Sequence, residues 1–131
     1  MKRAVRYYSR TGNTKLVAEA IAKAAGTDAV SVDSPQAGID EPVDLLFIGG
    51  ALYLYGIDDH LKEYLKSLKK EKVKKAVIFS TTWISKHSIA LIKAGLKEQG
   101  IPVAAETLHF RGKPDAKQLK EAERFAEKFL K

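Results

Sequence analysis

The chain has 131 residues, of which 45% are hydrophobic and 30% charged, the size and balance of one globular domain, spanning 1–131, around one core. It has no cysteine, which excludes disulfides, thiolate metal sites and a thiol nucleophile, and no apolar run reaches the roughly 20 residues of a bilayer span. A net charge of +7 points to an anionic partner, yet the lysines are spread along the chain and interleaved with acids.

Met1-Lys2-Arg3 runs into a strand over 2–8 with no signal-peptide pattern, and with no cysteine this leads us to expect a cytoplasmic protein. A hydroxyl-rich turn, Ser9-Arg10-Thr11-Gly12-Asn13-Thr14, follows. Lys15 to Ala25 then reads as an amphipathic helix with Leu16, Val17, Ala20, Ile21 and Ala24 inward, and Gly26 suits its left-handed end. Alternation over Asp28 to Asp33 predicts a short strand, and Gly38 with two prolines makes Ser34 to Pro42 a loop or a poorly formed element. Val43 to Ile48 is nearly all apolar, as in a central parallel strand buried on both faces, and ends at Gly49-Gly50.

An aromatic-rich loop over 51–56 leads to a helix over 58–69 with Leu61, Tyr64, Leu65 and Leu68 on one face. Val73 to Ser80 is a second fully buried strand, which runs into Thr81-Thr82-Trp83-Ile84-Ser85. A helix over 86–99 carries Ile89, Ile92 and Leu96 and stops at Gly100; a last strand spans 102–110. Asp115 can cap a final helix that buries Leu119, Ala122, Ala126, Phe129 and Leu130.

Strands alternating with helices predict a three-layer α/β/α, doubly wound, five-stranded parallel sheet in the order 2-1-3-4-5. Ligands of such sheets bind beyond the carboxyl ends of the strands, where loops 9–14, 51–57 and 81–87 meet. The first loop offers backbone N–H groups at a helix N-terminus, a glycine, and hydroxyls from Ser9, Thr11 and Thr14, which suit a phosphate. It has neither the lysine of a triphosphate-binding loop nor the spacing of a dinucleotide loop. The plain alternative is a βα turn with a capped helix. The other two loops add flat apolar surface from Leu52, Tyr53, Tyr55 and Trp83, so a mononucleotide with a planar ring fits the set.

Tyr8 to Thr14 resembles the flavodoxin phosphate loop, Ser/Thr-x-Thr-Gly-x-Thr, matching at Ser9, Thr11, Gly12 and Thr14. The resemblance covers the whole chain, including the unbroken last strand of short-chain flavodoxins. Gly50-Ala51, followed by Tyr55-Gly56, is similar to the second flavin loop of flavodoxin-like protoporphyrinogen oxidases. The resemblance implies FMN as cofactor. Ser9, Arg10, Thr11, Gly12, Asn13 and Thr14 would hold its phosphate. Ala51, Leu52, Tyr53, Leu54, Tyr55 and Gly56, with Thr81, Thr82, Trp83 and Ser85, would flank the isoalloxazine. Tyr53 and Tyr55 can equally be half-buried loop aromatics, and Thr81 and Thr82 either bond the pyrimidine edge or only end the strand.

The chain departs from the family in being basic, and its third loop offers Trp83, Lys86 and His87 in place of the usual acids and stacker. Lys86 or His87 beside the flavin would favour its anionic reduced form by Coulomb attraction. Arg10 adds charge beside the phosphate loop. If it pairs with the phosphate, its removal weakens binding more at low salt than at high.

The implied function is electron transfer with a redox partner protein, and an acidic partner docking on the lysines over 62–75 is a secondary reading beside a plain soluble face. The enzymatic alternative is an FMN-dependent oxidoreductase acting on a quinone or porphyrinogen; no acid–base pair or nucleophile stands out, so no catalytic residue is named. A non-flavin interaction module is the third reading, though a receiver domain fails because strand three ends in Gly49-Gly50 where an aspartate is required. His60, His87 and His109 sit in different elements without ligand spacing, so no metal is expected; His60 reads as a solvated first turn and His109 as a core or rim residue. Arg111-Gly112-Lys113 reads as a solvated turn and the lysines over 62–75 as a soluble face. Nucleic acid is suggested by charge alone and is not expected.

Overall fold

The computed structural model describes residues 1–53, 56–82 and 87–130, with the Tyr53 side chain excepted. The strands are β1 (Arg3–Tyr7), β2 (Ala29–Ser31), β3 (Leu45–Gly50), β4 (Leu52–Tyr53), β5 (Gly56–Ile57), β6 (Ala76–Ser80) and β7 (Leu108–His109). The helices are α1 (Asn13–Ala25), α2 (Asp59–Ser67), α3 (His87–Glu98) and α4 (Ala116–Lys128). Five strands form one parallel sheet in the order β2-β1-β3-β6-β7. Counting only these, the order is the expected 2-1-3-4-5. The loop over 51–57 contributes a small antiparallel hairpin, β4 on β5, with Leu52 opposite Ile57 and Tyr53 opposite Gly56.

Alternation along the central strands builds the two faces. Val5, Tyr7, Leu45, Phe47, Val77 and Phe79 point to one side, where Val17, Ala18 and Ile21 of α1 and Ala122, Phe125 and Ala126 of α4 cover them. Ala4, Leu46, Ile48, Ala76 and Ile78 point to the other, under Leu61 and Leu65 of α2 and Ile92 and Leu96 of α3. Burial on both faces explains the apolar runs of β3 and β6, whose residues are all buried.

The third strand ends in Gly49 and Gly50, as expected. A Cβ on Gly49 would stand 2.3 Å from the Phe79 ring and 2.6 Å from its carbonyl oxygen, so the neighbouring strand packs into the space a side chain would fill. The α1 stripe is also rotated from the expected one: Thr14, Val17, Ala18, Ile21, Ala22 and Ala25 are buried, while Leu16, Ala20 and Ala24 are only half-buried. On α4 the expected face gains Phe125, whereas Leu119, Phe129 and Leu130 are half-buried.

The last strand is not continuous over 102–110. Val103 bridges Ala76 and Leu108 pairs with Phe79, so five steps on the edge strand (103 to 108) match three on β6 (76 to 79). The two extra residues form a bulge, which an edge strand tolerates because its outer side has no partner to keep in register.

Candidate cofactor-binding site

β1 ends under the first loop, and the Tyr8 N–H donates to the Gly49 carbonyl at 3.2 Å. The Gly12 N–H then donates to Ser9 Oγ at 3.0 Å, which closes the turn. Gly12 is the N-cap of α1 with φ at +93°, a conformation L side chains rarely adopt, and its carbonyl accepts the first helical bond, from Leu16 N–H at 3.1 Å. No side chain caps this N-terminus and no acid stands in its first turn. In contrast, Asp58 caps α2 and Asp115 caps α4. The leading N–H groups of α1 therefore remain for an outside acceptor at the positive end of the helix dipole, and this donor set fits a phosphate. Around it Arg10 and Thr11 are exposed, Ser9 and Asn13 half-buried, and Thr14 buried.

Hydrogen bonds join the three loops pairwise. Thr14 and Thr81 share a buried hydroxyl–hydroxyl bond of 2.7 Å, tying the first loop to the third. The Leu52 N–H donates to Thr82 Oγ1 at 3.1 Å, tying the second to the third. Arg10 donates to Asp58 Oδ2 from Nε at 3.0 Å and Nη2 at 2.6 Å, tying the first to the exit of the second. The other Asp58 oxygen accepts from the His60 N–H and contacts His60 Nδ1, both at 2.8 Å, and the His60 ring stacks on Tyr8 with centroids 4.9 Å apart. Burial alone would push the Asp58 carboxyl up; the bonds from Arg10 and His60, with the Arg10 charge, outweigh it and hold the carboxyl below its ordinary value.

The strand end beneath the third loop holds a closed ring of hydroxyls. Ser80 and Ser88 lie 2.6 Å apart, Ser88 and Thr82 2.9 Å, and Thr82 and Ser80 3.1 Å, all buried. Thr81 and Thr82 thus have their hydroxyls engaged within the protein. Asp58, Ser80 and Ser88 complete the cluster and are not among the site residues expected from the sequence. Asp58 had one signal, its place before a helix; a buried serine at a helix start looks like any surface serine.

Ala51 and Leu52 are half-buried at the hairpin entry, and Gly56 is buried in β5. Leu54, Tyr55, Trp83 and Ser85 lie outside the described residues, as does Lys86. His87 is exposed at the start of α3. Among the described residues no three His, Asp or Glu side chains come together as a metal site, and no helix is long and apolar enough to cross a membrane.

Comparison with curated protein sequences gave no match. Among solved structures the chain is similar to a flavodoxin from the domain Archaea, with 24% identity, TM-score 0.77, and 98% of this chain and 95% of that one covered. Flavodoxin 1 from Bacillus cereus matches with 23% identity, TM-score 0.80, and 99% and 97% coverage. A short-chain flavodoxin associated with a PDU bacterial microcompartment matches with 16% identity, TM-score 0.79, and 99% and 97% coverage. At these identities the structures establish a common fold. The family model described as "Flavodoxin domain" matches residues 4–131, nearly the whole chain, so the protein belongs to the flavodoxin-domain family.

Proposed function

We propose that this protein binds FMN and serves as an electron-transfer protein. The observation that carries the reading is the N-terminus of α1: it starts on a positive-φ glycine, has no side-chain cap, and sits beyond the carboxyl edge of the sheet where strand order reverses. Family membership supports the choice of a flavin. The side chains of Ser9, Thr11 and Asn13, with the leading backbone N–H groups of α1 at Asn13 and Thr14, would hold the phosphate, and Gly12 would give it room. Residues 51–56 and 81–85 would flank the ring and shield it from water. FMN supplies the redox chemistry when bound. The chain's task is to bind it, orient it and set which partners reach it, and the +7 charge supports an acidic redox partner.

Titration of the purified protein with FMN, followed by flavin absorbance and fluorescence, tests this directly. The expected result is saturable binding near one FMN per chain, and a protein that stays colourless and takes up no FMN overturns the reading. Electron exchange with a flavoprotein reductase, without steady-state turnover of a quinone or porphyrinogen, is the expected kinetic behaviour; turnover would instead mark an oxidoreductase.

A further inference from the structure

The ring of Ser80, Thr82 and Ser88 has a donor arithmetic that bears on the site. Each hydroxyl owns one proton, and three hydroxyls bonded in a triangle can each donate to the next and accept from the previous one. The ring is then satisfied within itself. The second acceptor position of Thr82 is taken by the Leu52 N–H. Ser80 ends β6, Ser88 stands in the first turn of α3, and Thr82 lies between them, so the triangle pins both ends of the 81–87 connection. Through Leu52 it also fixes β4, the first strand of the hairpin. The sequence needs a hydroxyl here: an apolar residue at 82 would leave the Leu52 N–H without its acceptor and break the ring at two of its three sides.

We propose that Thr82 is a positioning residue for the cofactor site: its hydroxyl, oriented by Ser80 and Ser88, holds the Leu52 backbone and so sets the separation of the second and third loops. This assigns the Thr82 side chain a role through Leu52 rather than a bond to the flavin. The part that concerns cofactor affinity rests on the FMN reading; the tie between Thr82 and Leu52 does not.

The test compares Thr82→Val, Thr82→Ser and Ser88→Ala with the parent by two readouts. The first is hydrogen exchange and chemical shift of the Leu52 amide in protein without FMN. Thr82→Val should abolish the protection, Thr82→Ser should keep it, and Ser88→Ala, which leaves the Leu52 acceptor in place, should reduce it only partly. The second is FMN affinity and midpoint potential. Thr82→Val should weaken FMN about tenfold, through the lost hold on the Leu52 backbone, and move the potential, while Thr82→Ser restores both. A Leu52 amide unchanged in Thr82→Val overturns the tie, and so does a Thr82→Ser variant as impaired as Thr82→Val. Loss of Leu52 protection with unchanged FMN affinity and potential overturns the positioning role. If the parent takes up no FMN, the functional reading fails, and the amide readout still decides the tie.

Discussion

At the scale of single residues the most consequential finding is where Arg10 lies. The sequence places it beside a phosphate, where its removal would matter mostly at low salt. The structure gives it Asp58 as a partner, in a two-bond contact to one carboxylate oxygen. Asp58 is only 6% exposed and also receives the His60 backbone N–H, so the pair is a buried carboxylate with its charge compensated at the edge of the site. The folded-state carboxyl sits below its unfolded value, so its contribution to stability is present above the unfolded value near pH 4 and lost as pH falls through the folded one. Asp58→Asn can still cap α2 but carries no charge. Urea unfolding should therefore show the variant less stable than the parent at pH 7, with the gap closing below about pH 4. A gap that stays constant from pH 7 to pH 3 would show that the Asp58 charge contributes nothing. Tyr64 behaves in the opposite sense. Burial pushes its hydroxyl up while it donates to the Ala37 carbonyl at 2.6 Å, so its contribution lasts through neutral pH and fades only as pH climbs through the raised folded-state value.

At the scale of elements the helices divide by how they begin. α4 has a full capping box: the Gln118 N–H donates to Asp115 at 2.8 Å, and the Asp115 N–H donates to the Gln118 side chain at 3.0 Å. Asp115→Ala should cost about 1 kcal/mol, read as a lower urea midpoint with an unchanged slope. The same variant should leave FMN affinity alone, because α4 packs behind the sheet on the α1 side and contributes no residue to the three loops. An affinity change in Asp115→Ala would mean that the cap reaches the site through α1. α1 itself lacks such a cap, and its stability rests on packing: Val17, Ala18 and Ile21 are fully buried. An uncapped helix start held in place by its buried stripe is what an anion site at that terminus needs.

At the scale of the whole molecule the charge sets behaviour toward partners. A net charge of +7 would, by long-range attraction, favour the acidic redox partner proposed above over a basic one. The association rate with an acidic redox protein should fall steeply between about 0.01 and 0.15 M salt, where the screening length shrinks from about 30 to 8 Å. Stopped-flow electron exchange over a salt series measures it. A rate independent of salt would remove charge as the basis of partner choice.

Much of this architecture is legible in the residues. The apolar runs at 45–48 and 76–79 determine strands buried on two faces, because only a parallel sheet covered on both sides buries every residue of a strand. The alternation of strands and helices then selects the doubly wound order. Ser9 to Thr14 marks the loop whose glycine takes a positive φ, and Asp115 marks the N-cap of α4, to which Gln118 adds the second half of the capping box.

The rest is decided by contacts between segments far apart in the chain. The α1 stripe is set by the sheet it packs on, which rotates the buried face toward Thr14, Ala18 and Ala22. The break in the last strand comes from its pairing with β6, which local alternation cannot report. Arg10 finds Asp58 across 48 residues, Thr14 finds Thr81 across 67, and Leu52 finds Thr82 across 30. Local sequence determines which backbone groups are offered at the head of each strand; only the folded sheet, by bringing those heads together at one edge, decides which side chains hold the loops to one another.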